Sequence, residues 1–226
     1  MYKLSIKQWN PFQGCLYDCI YCEKSFKAQA KRQKHNCIKC YNYIPHEHPE
    51  RLNSSLPKTQ YLQFIFTVAS GDISFCTIDY LKQIITKIKQ ESDKTFLIQS
   101  KNPKAFNRVE FPNNVILGTT IETNRDELYN KYKLSNAPLP SKRYKGLLKI
   151  NHSLKMVTIE PILDFDRDIL LKWVDDTKPV MVWIGYDSKG NVLPSPSVDK
   201  VKDFYWQLGK KGFTVMLKTI REKETK

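Results

Sequence analysis

The sequence predicts an α/β fold built on a parallel sheet, and three observations carry that prediction. Short β-branched or aromatic runs recur along the whole chain, stretches of helical period separate them, and each run stops abruptly in polar or small residues. At 226 residues the chain is long enough for one domain with a sizeable core, and no Gly/Ser- or Pro-rich linker splits it into comparable halves. The expectation is one domain over residues 1–226 with a Cys/His-rich insertion at about 35–58, after the first helix.

The strand-like runs are Lys3–Lys7, Leu62–Ala69, Thr95–Gln99, Val115–Ile121, Met156–Ile159, Val180–Gly185 and Thr214–Leu217. Between them, Tyr80, Leu81, Ile84, Ile85 and Ile88 form an apolar stripe at spacings of three and four, with Lys82, Gln83 and Lys87 on the other face. Weaker helical patterns cover Arg167–Asp175 and Val198–Leu208, whereas residues 130–145, with Pro138 and Pro140, read as a mobile insertion. Asp164, Asp166 and Asp168 lie between a strand and a helix, where capping and turn roles are expected. The runs end in Ser70-Gly71-Asp72, Gln99-Ser100-Lys101, Glu122-Thr123-Asn124, Glu160, Tyr186-Asp187 and Lys218-Thr219. In parallel α/β folds the carboxyl ends of strands carry ligands, although any one such residue also serves to begin a loop or cap a helix.

Lys and Arg number 37 against 23 Asp and Glu, for a net charge of +14 and a pI near 9.4. Such a balance favours a polyanionic partner, nucleic acid above all, because each cation that neutralises a phosphate releases condensed counterions; a soluble basic surface is the plainer alternative. The first ten residues lack the apolar core of a signal peptide, and no apolar run approaches bilayer length, so a cytoplasmic location with no membrane contact is expected.

Five of the six cysteines, with His35, His46 and His48, fall between positions 15 and 48; only Cys76 and His152 lie elsewhere. A three-disulfide reading would need an oxidising compartment and a core-poor chain, so metal ligation or catalysis is the better expectation. Cys15, Cys19 and Cys22 are spaced C-x3-C-x2-C directly after the first strand, with Gly14 letting the loop turn tightly. Three thiolates in one loop can hold three irons of a cubane and leave the fourth open; a zinc site with a distant fourth ligand and buried structural thiols remain as alternatives.

This spacing, with Tyr21 just before the third cysteine, resembles the radical-SAM superfamily. The resemblance implies a partial (β/α)6-type barrel of about six parallel strands and a 4Fe–4S cluster on Cys15, Cys19 and Cys22. It also implies S-adenosylmethionine (SAM) chelated at the open iron and an electron donor such as a flavodoxin or ferredoxin. One electron would cleave the sulfonium to methionine and a hydrogen-abstracting 5′-deoxyadenosyl radical. The block at Trp9-Asn10-Pro11, the Ser70-Gly71-Asp72 and Ser100-Lys101-Asn102-Pro103 turns, Leu117 to Asn124 and Ile159-Glu160-Pro161 resemble a phage- and archaea-associated branch related to proteins of the spore-photoproduct-lyase type. By that likeness Ser70, Gly71 and Asp72 meet the SAM amino group, although they depart from the usual Gly-Gly-Glu pattern. Gln99, Ser100, Glu122 and Glu160 become candidates for the ribose, the carboxylate or the substrate. Cys76 would return a hydrogen atom to a product radical, or simply be a small buried side chain.

Two features remain. Lys27, Lys31 and Lys34, at spacings of four and three on a predicted helix over residues 23–34, form either a ridge for a phosphate backbone or an ordinary solvated face. Cys37 and Cys40, with His46 and His48, supply two thiolates and one or two imidazoles suited to Zn²⁺; a second iron–sulfur cluster, unligated thiols and substrate-facing histidines are the alternatives. The expected function is radical SAM chemistry on a nucleic acid or nucleotide-bearing substrate, with modification of a peptide or small molecule, or metal-stabilised nucleic-acid binding without catalysis, as alternatives.

Overall fold

The computed structural model of the chain describes residues 2–221. Seven parallel strands, rather than about six, follow one another across the sheet in chain order. They are β1 (Ser5–Trp9), β2 (Phe64–Thr67), β3 (Phe96–Gln99), β4 (Val115–Thr120), β5 (Lys155–Ile159), β6 (Met181–Ile184) and β7 (Val215–Leu217). Each crossover steps to the adjacent position, and β1 and β7 are the edges of a curled half barrel.

The longer helices among the described residues are α1 (Ile78–Gln90), α2 (Asp126–Tyr132), α3 (Pro140–Leu148), α4 (Arg167–Thr177) and α5 (Val198–Lys210). Side-chain caps start two of them: the Thr77 hydroxyl accepts from the Tyr80 amide, and that of Ser197 from the Lys200 amide. The predicted stripe of α1 is buried throughout, from Tyr80 to Ile88, against Trp9, Ile65, Phe96 and Ile98. No helix among the described residues is long and apolar enough to cross a membrane.

The period of two in the strands separates two jobs. Ile65, Phe96, Ile98, Val115 and Leu117 face α1, while Val157, Ile159, Val182 and Ile184 pack with residues of α4 and α5. The alternate positions Phe64, Leu97, Ile116, Met156 and Trp183 gather on the other face around Tyr2. Further along that same face the side chains turn polar at the carboxyl ends: Gln99, Thr120, Thr158, Glu160 and Lys218 all line one cavity. Apolar side chains on both faces of the strands thus build the barrel, and the change of character at the strand ends builds a site.

Residues 130–145 are not a mobile insertion. They complete α2 and begin α3, with Leu134, Ala137, Pro140 and Arg143 buried. The buried Arg143, which bonds Glu122, holds this Pro-containing stretch against the sheet. The stretch 23–34 is helical but mixed, with a π turn at Glu23–Lys27, one α turn at Ala28–Ala30 and a 3-10 turn at Lys31–Gln33. Asp166 stands at the N-terminus of α4 without a side-chain cap bond, and both it and Asp164 pair with Arg125 instead.

Candidate active site

The loop after β1 carries Cys15, Cys19 and Cys22 to the carboxyl end of the sheet, where all three thiols line a cavity of about 350 Å³, a size typical of small-molecule sites. The loop is braced from three sides. From β2, the Gly14 amide donates to the Ser70 carbonyl (3.0 Å) and the Asp72 amide to the Gly14 carbonyl (3.2 Å). From the 130s segment, the Ser135 hydroxyl bonds the Cys19 sulfur (3.1 Å), and the Asn136 amide donates to the Tyr17 carbonyl (2.7 Å). From the insertion, the Tyr43 carbonyl accepts from the Cys15 amide (3.3 Å). Gly14 sits at φ +93° with no room for a side chain, since a Cβ there would lie 2.3 Å from the Ile44 carbonyl group.

Two of the three thiols, Cys15 and Cys22, do not ionise readily by themselves. Burial pushes Cys15 up to about 12, with the nearby Asp72 carboxylate adding to the effect. Cys19 and Cys22 share a hydrogen bond that holds Cys19 low and raises Cys22. Three soft sulfur donors lining one cavity suit a cationic iron–sulfur cluster, which would displace their protons and compensate the charge that burial disfavours.

Of the other predicted residues, Gly71, Asp72, Gln99, Ser100 and Glu160 line the cavity, whereas Ser70, Glu122 and Cys76 are not among its lining residues. Ser70 contributes backbone only: its carbonyl accepts from Gly14, and its amide donates to the Asn10 side chain (3.0 Å). Asp72 is buried and accepts four hydrogen bonds. Its Oδ1 accepts from the Ser74 amide (2.9 Å) and from the Ser74 and Ser100 hydroxyls (both 2.7 Å), and its Oδ2 from the Lys101 amide (2.8 Å). Those bonds lock the turns after β2 and β3 together, which gives Asp72 a bracing role beside its place in the cavity wall. Asp72→Asn, which leaves amide hydrogens facing donors, is therefore expected to lower stability by about 1–3 kcal/mol. Thermal melting checks this; unchanged stability together with weakened SAM affinity would return Asp72 to direct contact.

Glu122 lies fully buried behind the cavity. Its carboxylate accepts from Arg143 Nη1 (2.7 Å) and the Tyr21 hydroxyl (2.5 Å), and Lys101 bonds both it and Tyr21. Burial alone would raise its pKa, but the Arg143 and Lys101 charges hold it down at about 2. Arg143 spends its other donors on the Thr120 and Pro138 carbonyls and the Tyr129 hydroxyl. The network connects the residue before the third cysteine to β3, β4 and α3. Gln99 is also engaged, its oxygen accepting from Tyr2 and its amide donating to Thr120. Glu160 pairs with Lys218 across the rim of the cavity.

Cys76 belongs to the core with Ile73 and Tyr80, and burial pushes its thiol up to about 12. This placement favours the structural reading of Cys76 over hydrogen donation. Lys27 is paired with Asp18 (2.5 Å) and Glu23 (3.2 Å), Lys31 rests over the Tyr41 ring, and Lys34 is exposed. Cys37, Cys40, His46 and His48 converge, their four ligand atoms all within 4.8 Å of one another.

Two structures of SuiB from Streptococcus suis align with nearly the whole chain. The first has a TM-score of 0.53 at 8% identity over 96% of this chain and 50% of that one. The second, SuiB bound to S-adenosylmethionine, has a TM-score of 0.52 at 7% identity, over 96% and 51%. The chain shares the SuiB fold. It spans about half the length of SuiB, and at this identity the likeness concerns architecture alone. No protein-family profile matches the sequence, and no curated protein does.

Sequence reasoning gave no specific role to Tyr2, Arg143, Ser135 or Lys218. Tyr2 closes the cavity floor by bonding Gln99 and Thr158. Only Lys218 carried a signal, as a polar residue ending an apolar run.

Proposed function

We propose that the chain is a radical SAM enzyme acting on a nucleic acid or a nucleotide-bearing substrate. The observation that carries this reading is the position of three thiols from a C-x3-C-x2-C loop, lining a single cavity at the carboxyl mouth of a parallel half barrel. Cys15, Cys19 and Cys22 would hold a 4Fe–4S cluster, and SAM would occupy the adjoining cavity, as the SAM-bound SuiB structure with the same fold suggests. When bound, the two cofactors supply one-electron cleavage of a sulfonium and hydrogen-atom abstraction, which no side chain here provides. The protein's own residues position and enclose. Tyr2, Gln99 and Thr158 seal the floor, the Asp72 bonds fix the two turns beside the cysteines, and the Glu160–Lys218 pair sets opposite charges at the rim.

The net charge of +14 supports a polyanionic substrate. Lys31 and Lys34 are exposed on the helical stretch leaving the cysteine loop, whereas Lys27 is already compensated by Asp18 and Glu23. Replacing Lys27, Lys31 and Lys34 with Gln is expected to weaken binding to many sequences alike and to flatten its salt dependence by roughly 0.7–0.9 log–log units for each phosphate no longer neutralised. Salt titrations of fluorescent oligonucleotides check this. The reaction is tested by incubating the anaerobically reconstituted protein with dithionite, SAM and mixed polynucleotides, then digesting these and weighing the nucleosides. A SAM-dependent mass change supports the reading; SAM consumption with untouched nucleosides would indicate a peptide or small-molecule substrate.

A further inference from the structure

We propose that Cys37, Cys40, His46 and His48 form a closed, structural Zn²⁺ site that clamps the insertion onto the three-cysteine loop. The hydrogen-bond pattern leaves the cluster one donor short without a cation: the Cys37 thiol can serve His46, but nothing is left for His48 Nε2. His46 Nδ1 faces the Ile44 carbonyl at 2.7 Å, and a carbonyl only accepts, so this nitrogen carries the proton. His48 Nδ1 faces the Glu50 carboxylate at 2.9 Å and is protonated for the same reason. Both Nε2 atoms therefore present lone pairs. His46 Nε2 lies 3.3 Å from both Cys37 Sγ and Cys40 Sγ, and His48 Nε2 lies 3.2 Å from Cys40 Sγ. The Cys40 thiol has one hydrogen, which points to Gln13 Oε1 at 2.7 Å, so it cannot satisfy both rings.

The dimensions select the ion. Tetrahedral zinc with the usual Zn–S and Zn–N bonds separates sulfur from nitrogen by about 3.6 Å, close to the separations seen here. A two-iron cluster with two Cys and two His ligands places the imidazoles and thiolates on different irons, which requires Cys–His separations well beyond 3.3 Å. On binding, both thiols lose their protons to solvent, and four protein ligands leave no open position for chemistry.

The same residues lie against the three-cysteine loop. His46–Glu47 pairs antiparallel with Phe12–Gln13, immediately before Gly14 and Cys15. The His48 amide donates to the Pro11 carbonyl (2.7 Å), and Arg51 donates to the Asn10 carbonyl (2.9 Å) and Gln13 Oε1 (3.0 Å). Gly14 packs directly on the Ile44 carbonyl. One ion tying Cys37 and Cys40 to His46 and His48 thus fixes the surface on which the loop rests.

The zinc site stands apart from the proposed cluster, and the experiment keeps the two distinct. The whole 226-residue chain carrying Ala at positions 15, 19 and 22 should still hold about one zinc per chain by elemental analysis, with two sulfur and two nitrogen neighbours by X-ray absorption. Cobalt substitution of the unmutated chain should give the strong visible bands of a tetrahedral site, and Cys37→Ala or His46→Ala should lose the metal. Stripping zinc from the unmutated, cluster-free chain with a chelator should speed hydrogen exchange of the amides at 12–17 by at least about tenfold. A chain that retains no zinc and gives no tetrahedral cobalt spectrum, or that holds iron at these four residues, overturns the site. Unchanged exchange at 12–17 after stripping overturns the clamp.

Discussion

Changing any one of Cys15, Cys19 and Cys22 to Ala is expected to abolish the brown chromophore of the reconstituted protein, reducing iron from about four per chain to near zero. The three thiols line one cavity and belong to one short loop, so each missing sulfur exposes an iron to solvent and removes a third of the protein's hold. The loop itself should survive, because the Gly14, Tyr17 and Ile20 backbone bonds to Ser70, Asn136 and Leu134 do not involve the sulfurs. Iron analysis and visible absorption, with melting curves as the control for folding, measure the effect. Two of the three variants keeping full iron would show that these cysteines do not form a cluster site.

Arg143→Leu is expected to give the largest loss of stability. It leaves Glu122 fully buried, with Lys101 and Tyr21 but without its bidentate-capable partner, and strips donors from the Thr120 and Pro138 carbonyls. Breaking a buried ion pair from one side costs about 3–5 kcal/mol, or roughly 6–20 °C of melting temperature for a domain of this size. The sign of the pH dependence follows from the same pair. Glu122 is held at about 2, below its ordinary 4.5, so its contribution is complete above that ordinary value and disappears as pH falls towards 2. The variant should therefore melt early at neutral pH and lie closer to the parent in acid, where the cost of the two stripped carbonyls remains. A melting temperature within two or so degrees of the parent at pH 7 would remove the network from the fold's energetics.

Much of the architecture was legible because it depends on local pattern. The β-branched and aromatic runs Thr95–Gln99 and Val115–Ile121, the stripe from Tyr80 to Ile88 and the polar endings at Gln99 and Glu160 became strands, a helix and cavity wall in turn. The roles of single strand-end residues were not legible, since they depend on partners far away in sequence. Glu122 looked like any other polar ending, yet Tyr21, 101 residues earlier, and Arg143, 21 later, turn it inward. Asp72 is similar, taken up by Ser100 and Lys101 across the neighbouring strand. Residues 130–145 misled for a related reason: prolines and cations suggest a loop, and only the burial of Arg143 against Glu122 reverses that reading.

The central claim is that the chain binds SAM beside a reducible cluster and cleaves it. Its most direct test is the 5′-deoxyadenosine formed by anaerobically reconstituted protein given dithionite and SAM, measured beside the Cys19→Ala variant. The account predicts 5′-deoxyadenosine from the parent and none above background from the variant. A parent preparation with a full, reducible cluster that forms no 5′-deoxyadenosine would contradict it.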